Sequence, residues 1–147
     1  GGGASGLSSG FKTLVPLELS LGERAEYRSQ VFSFCRHKRL REVEAALDNG
    51  FPIDEQDENG NTLLFVAAQN GLRQAAKLCL RRGAHVNLQN LRGNTPLHYC
   101  FAYGHSGLAA YLIEKGADDS ILNSDGLSVY EGTAKNSRPA SQSPTSC

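Results

Sequence analysis

The most reactive side chains of this 147-residue chain are four histidines, at 37, 85, 98 and 105, and four cysteines, at 35, 79, 100 and 147. A structural zinc site would need these as closely spaced pairs, Cys-x-x-Cys above all; no such pair occurs and the histidines keep no regular spacing. Hydrolytic chemistry would need a nucleophile held at an elbow, and Gly104-His105-Ser106-Gly107-Leu108 fails the Gly-x-Ser-x-Gly pattern. No Walker sequence occurs, and the carboxylate pair Asp118-Asp119 falls in a loop. The Gly-x-Gly-x-x-Gly match at the N-terminus has no strand ahead of it. These spacings point away from catalysis: no enzyme activity and no cofactor are expected. Cys79 and Cys100 lie inside apolar helical patterns, as buried free thiols of a reducing compartment do.

The spacing that does recur is 33. Gly60, Gly93 and Gly126 keep it (93 − 60 = 126 − 93 = 33), as do Gly50, Gly83 and Gly116, and Thr62, Thr95 and Ser128; Gly71 and Gly104 add a fourth phase. Glycines repeated at matched phases mean stacked copies of one small unit, and such stacks serve as extended surfaces for gripping other proteins. The clearest copy spans 90–122. Thr95 caps a helix start and Pro96 fits its first turn, where no donor is needed. Leu97, Cys100 and Phe101 share a helical face, and Gly104 ends the helix with a left-handed residue. Leu108, Ala109, Leu112 and Ile113 form the stripe of a second helix that Gly116 closes. Unit 57–89 repeats the plan, with Thr62 opening its first helix, Gly71 ending it, and Gly83 closing the second.

A degenerate first unit spans about 24–56, with Ser29-Gln30-Val31-Phe32 at the helix-opening phase and Lys38 where the other units have glycine. Segment 123–132 begins a fourth copy, and Ser128-Val129-Tyr130-Glu131 is expected to supply a capping helix. The repeat domain therefore covers 23–132. It is preceded by a flexible Gly/Ser linker and apolar lead-in (1–22, with Phe11 to Leu21 packing as an extended segment) and followed by a disordered tail (133–147).

Fifteen basic and fifteen acidic residues cancel. That balance argues against a dedicated nucleic-acid binder. The one basic run, Arg36-His37-Lys38-Arg39-Leu40-Arg41, is followed by Glu42, Glu44 and Asp48, as on a solvated face, and would steer an acidic partner. No apolar run approaches the roughly 20 residues that span a bilayer. Methionine is absent even at position 1, which leaves two readings: a segment of a longer protein, or an initiator removed ahead of Gly1. In the second case Gly1-Gly2-Gly3-Ala4-Ser5 fits the N-myristoylation pattern.

Thr95-Pro96-Leu97-His98, Gly104-His105, Gly116-Ala117-Asp118 and Gly83-Ala84-His85-Val86-Asn87 resemble the ankyrin-repeat motif, over about 27–132. The resemblance implies an all-α solenoid of antiparallel helix pairs with hairpin-like fingers at right angles, no cofactor, and another protein as partner. It departs where Leu63 follows Thr62 in place of Pro, where Phe65 replaces the usual His, and where Asp119-Ser120 replaces Val-Asn. It implies structural roles for Thr62, Thr95, Pro96, His98, Gly71, Gly83, Gly104 and Gly116. It also implies partner contacts from finger tips and from the exposed ends of first helices. By phase these are Asn59, Asn61, Leu91, Arg92, Asn94, Asp125 and Leu127 in the fingers, and Arg36, His37, Gln69, Asn70 and Tyr103 on the helices. Leu91, Tyr103 and Leu127 are the apolar or aromatic exceptions, and a cluster of Leu91, Arg92 and Tyr103 is the expected hot spot. A cytoplasmic protein, with cytoskeletal or ciliary association as a looser likeness, completes the reading.

Overall fold

The computed structural model describes residues 19–134, which hold six helices and no strand-paired sheet. They pair as α1 (Leu21–Arg36) with α2 (Leu40–Asp48), α3 (Leu63–Asn70) with α4 (Arg73–Arg81), and α5 (Pro96–Ala102) with α6 (Ser106–Glu114). First helices stack on first helices, α1 on α3 and α3 on α5. A continuous core threads the pairs: Val31, Phe32, Cys35 and Val43, then Leu63, Leu64, Ala67, Ala68, Ala76 and Leu78, then Leu97, Cys100, Leu108 and Leu112. Ala67, Ala68 and Ala76 are fully buried, which lets the central backbones approach closely. The glycine run, the apolar lead-in through residue 18, the acylation pattern and the tail beyond 134 lie outside the described residues.

The three finger glycines share one geometry, with φ of 80°, 78° and 76° at Gly60, Gly93 and Gly126. Among the described residues Lys38 is the only non-glycine with positive φ, at 66°, matching Gly71 at 66°. The degenerate first unit thus keeps the turn of the other units at a residue that strains to make it.

Two expectations need correction. The first helix does not open near Ser29: it starts at Leu21, where Ser20 accepts from the Glu23 N–H and Glu23 reaches back to the Ser20 N–H. This capping box carries the helix two turns beyond its counterparts and two residues into the segment assigned to the lead-in. At the other end no capping helix forms among the described residues. Ser128 and Glu131 make the first turn of one, with the Ser128 N–H on Glu131 Oε1 at 2.7 Å and the Glu131 N–H on the Ser128 carbonyl. Gly132, at φ 125°, then ends it. One turn fixes several dihedrals for a single helical hydrogen bond, so it does not count as a stable helix. Val129, fully buried, is what this turn contributes to the core.

Candidate interaction surface

Each finger is built around one acidic or amide side chain. Asp57 Oδ1 accepts the N–H groups of Asn59 and Asn61, Asn90 Oδ1 those of Arg92 and Asn94, and Asn123 Oδ1 those of Asp125 and Leu127, all at 2.8–3.0 Å. The three residues stand 33 apart. The two amides also donate backwards, Asn90 Nδ2 to Asn61 Oδ1 at 2.7 Å and Asn123 Nδ2 to Asn94 Oδ1 at 2.8 Å. Backbone bonds complete the link: the Leu91 N–H meets the Asn59 carbonyl, and the Ser124 N–H meets that of Arg92. No finger stands behind this first one among the described residues, so an acceptor-only carboxylate suffices at Asp57. A second set joins the bases of the loops, with Asp54 accepting from the His85 N–H and Asn87 from the Asp118 N–H, again 33 apart. The fingers are therefore locked to one another as a ridge.

The ladder corrects two expected contacts. Asn94 is 1 % exposed and Asn61 half-buried; both spend their amides inside the ridge, so neither is a finger-tip contact. Leu127 is half-buried, and its carbonyl accepts from His98 Nε2 at 3.0 Å. A finger position by itself does not say which way an amide points. The signal was nonetheless present, because Asp57, Asn90 and Asn123 keep the same period as the glycines.

The structural residues fall largely where the phases put them. His98 is wholly buried and spans two units, its Nδ1 facing the Thr95 N–H and hydroxyl while Nε2–H donates to the Leu127 carbonyl. Burial holds its pKa below the ordinary histidine value, with the Leu127 carbonyl pulling weakly the other way. Thr95 forms a reciprocal cap with His98 at the start of α5, with Pro96 in the first turn. Thr62 occupies the corresponding place before α3 but makes no side-chain cap bond, since Phe65 stands where His98 would answer it. Gly71 (φ 66°) leaves room for the His105 ring, and His105 Nε2 bonds the Gln69 carbonyl at 3.0 Å. Gly83, Gly104 and Gly116 all have positive φ. Burial pushes the Cys35 and Cys100 thiols up to about 12 and Cys79 higher still, so none is a reactive thiolate.

Of the expected contact residues, the structure leaves Asn59, Leu91, Arg92, Asp125, Gln69, Asn70, Arg36, His37 and Tyr103 exposed. Arg36 and Asn59 come together in a groove of about 230 Å³ between α1 and the first finger, with Arg28, Phe32, Asp57 and Glu58. Arg28 there bridges Glu55 at 3.6 Å and Glu58 at 3.7 Å. His37 turns back onto the Ser33 carbonyl, and Asn70 onto that of Val66. Leu91 is 73 % exposed and Tyr103 52 %. They mark two ends of a strip rather than one cluster: Leu91 and Arg92 sit on the second finger, and Tyr103 closes the far end of α5, a helix about 10 Å long at 1.5 Å per residue.

Between them lies Tyr99, which the sequence reading missed. Its ring meets Tyr103 edge-on at 5.9 Å and Phe65 at 5.3 Å, and its hydroxyl accepts from Asn90 Nδ2. The i, i+4 spacing of Tyr99 and Tyr103 was the available signal. Leu122 and Tyr130 are further exposed apolar groups, and Tyr130 packs on Phe101 at 4.9 Å while its hydroxyl donates to Asp119.

Among the described residues no group of His, Cys, Asp and Glu could hold a metal ion, and no helix is long and apolar enough to cross a membrane. Ankyrin repeats, in three copies, match residues 32–123. The ADP-ribosylation factor GTPase-activating protein AGD2 of Arabidopsis thaliana is 43 % identical over 72 residues, covering 49 % of this chain and 9 % of that protein. Rabankyrin-5 of Homo sapiens is 40 % identical over 89 residues, covering 60 % and 8 %. Palmitoyltransferase ZDHHC17 of Rattus norvegicus is 32 % identical over 93 residues, covering 63 % and 14 %. The chain thus spans only a small part of the length of these relatives. Stacked helix pairs, a finger ridge repeating every 33 residues and the match over 32–123 together make the chain a member of the ankyrin-repeat family.

Proposed function

We propose that this chain is a protein-interaction module, an adaptor or small scaffold subunit, that binds a partner along the strip from the second finger to the end of α5. The observation that carries the reading is Leu91. An apolar side chain 73 % exposed, beside Arg92, stands on a finger whose backbone is pinned by the ladder to the fingers on both sides. A pre-ordered anchor loses little entropy on binding, and aromatic and Arg neighbours are favoured at such centres. Tyr103, propped by Tyr99, gives the strip a second anchor. The groove at Arg36 and Asn59 extends it toward the first finger. The function contains no catalytic step and needs no cofactor, and a cytoplasmic location suits its buried free thiols.

Affinity capture from a native extract with the wild-type chain, compared with Leu91→Asp/Tyr103→Asp, tests this. The variant should lose the specifically captured proteins while keeping its helical circular dichroism. Equal capture by both would remove the strip from consideration.

A second reading has its own support: the matched relatives are many times longer than the matched stretch. On that reading the repeats are a regulatory block within a larger multidomain protein. An antibody to this region, used on native extract, distinguishes the two by the size of the band it detects.

A further inference from the structure

The outer helices carry a charge pattern that the finger surface does not explain. Helix α4 holds Arg73, Lys77 and Arg81 and no carboxylate. These cations stand at i, i+4 and i+8, along one face, a spacing at which like charges repel. Arg73, Lys77 and, from the next unit, Lys115 converge on the Tyr111 ring, at 4.9, 5.9 and 5.6 Å from its centroid. None of the ion pairs among the described residues involves any of the three. By contrast, Arg82 is held by Asp48 and Arg39 by Glu42. Arg73 also forms the edge of a cavity of about 340 Å³ between the first two units, lined by Lys38, Leu40, Gly71, Leu72, Gln74 and Ala75. Its lining is chiefly apolar, and its two charged side chains are both cations. Because each finger precedes a first helix and follows a second one, this loop end of the pairs lies away from the fingers.

We propose that this outer face is a second docking surface, for an acidic peptide segment carrying one apolar side chain. Carboxylates of the segment meet Arg73, Lys77 and Lys115, and its apolar side chain enters the cavity beside Lys38. The charge complementarity is one-sided around Tyr111, where Arg73, Lys77 and Lys115 gather and none of the three takes part in an ion pair. The cavity distinguishes a peptide from a uniform polyanion, which has nothing to place on Leu40, Leu72 and Ala75.

The test is fluorescence anisotropy with a fluorescein-labelled peptide Glu-Asp-Glu-Leu-Glu-Asp-Glu, its Leu-to-Ser counterpart, and phosphatidylserine/phosphatidylcholine vesicles. The leucine peptide should bind, more weakly as salt rises. Arg73→Glu/Lys77→Glu should weaken it by about tenfold or more, while Arg92→Glu on the finger leaves it unchanged. Lys38→Gly removes a rim cation at a turn glycine prefers, so it keeps the fold; it and the serine peptide should each weaken binding several-fold. Thermal melts of the variants check folding. No anisotropy rise up to about 1 mM peptide, equal affinity for the serine peptide, an unaffected Arg73→Glu/Lys77→Glu variant, or vesicle binding with the peptide silent would each overturn the proposal. Loss of the strip function in Leu91→Asp/Tyr103→Asp leaves this outcome untouched, so the two interfaces fail separately.

Discussion

Gly93 and Gly126 have almost the same backbone, φ 78° and 76°, but different surroundings. A Cβ on Gly93 would lie 2.6 Å from the Ser124 nitrogen and 2.9 Å from its hydroxyl, whereas a Cβ on Gly126 meets nothing within 4 Å. The difference arises because Gly93 has a finger stacked on it, whereas none of the described residues stacks on Gly126. Gly126→Ala therefore incurs only the left-handed conformation, about 1–2 kcal/mol. Gly93→Ala incurs the same cost and also forces the neighbouring backbone away. That adds about 1–3 kcal/mol as overpacking and weakens the bond from the Ser124 N–H to the Arg92 carbonyl. The loss of unfolded-chain entropy on adding a methyl, about 0.4–1 kcal/mol in favour of the variant, is common to both and cancels in the comparison. Urea unfolding followed by far-UV circular dichroism should thus show Gly93→Ala less stable than Gly126→Ala by about 1–3 kcal/mol. Equal destabilisation, or a larger effect at Gly126, would refute the inter-finger packing.

Further outcomes follow from other positions. Lys38→Gly removes the strain of a left-handed lysine, about 1–2 kcal/mol, against about 0.4–1 kcal/mol of added unfolded-chain entropy. The thermal midpoint should rise modestly, and a fall would mean that the Lys38 side chain holds the turn. His98 is buried and its folded pKa is depressed, so the unfolded chain takes up the proton first. Its contribution is complete above the unfolded value of about 6.5 and is lost as pH falls below it toward the folded value. Thermal midpoints should drop more between about pH 7.5 and 5 for wild type than for His98→Gln; parallel curves would clear His98. Truncating Leu97, 1 % exposed in the continuous core, to Ala should lower stability by about 2–5 kcal/mol. A change under about half a kcal/mol would mean that α5 does not face the stack.

The sequence carried whatever depends on period. Thr95-Pro96 and Gly104 bracket α5 as their chemistry requires, and alignment by 33 placed Lys38 at a left-handed turn before any angle was known. What it did not carry depends on direction and on ends. Asn59 and Asn61 are two residues apart in one finger, yet the first faces water and the second faces Asn90, a choice made by the next unit rather than by local sequence. The end units follow rules of their own: Ser20 and Glu23 open α1 with a capping box well ahead of the repeat phase, and Gly132 halts the fourth copy after a turn. Tyr99 was masked by its dual character, a core-facing ring whose hydroxyl reaches the ridge.

Native-state amide exchange at Leu91 and Ser124 tests the central claim most directly, since these are the N–H groups by which each finger holds the one before it. If the repeats form a mutually supported ridge, both amides exchange only through openings nearly as costly as global unfolding. Exchange at the rate of a free loop, with the helices still protected, would show independent fingers on a helical stack and contradict the account.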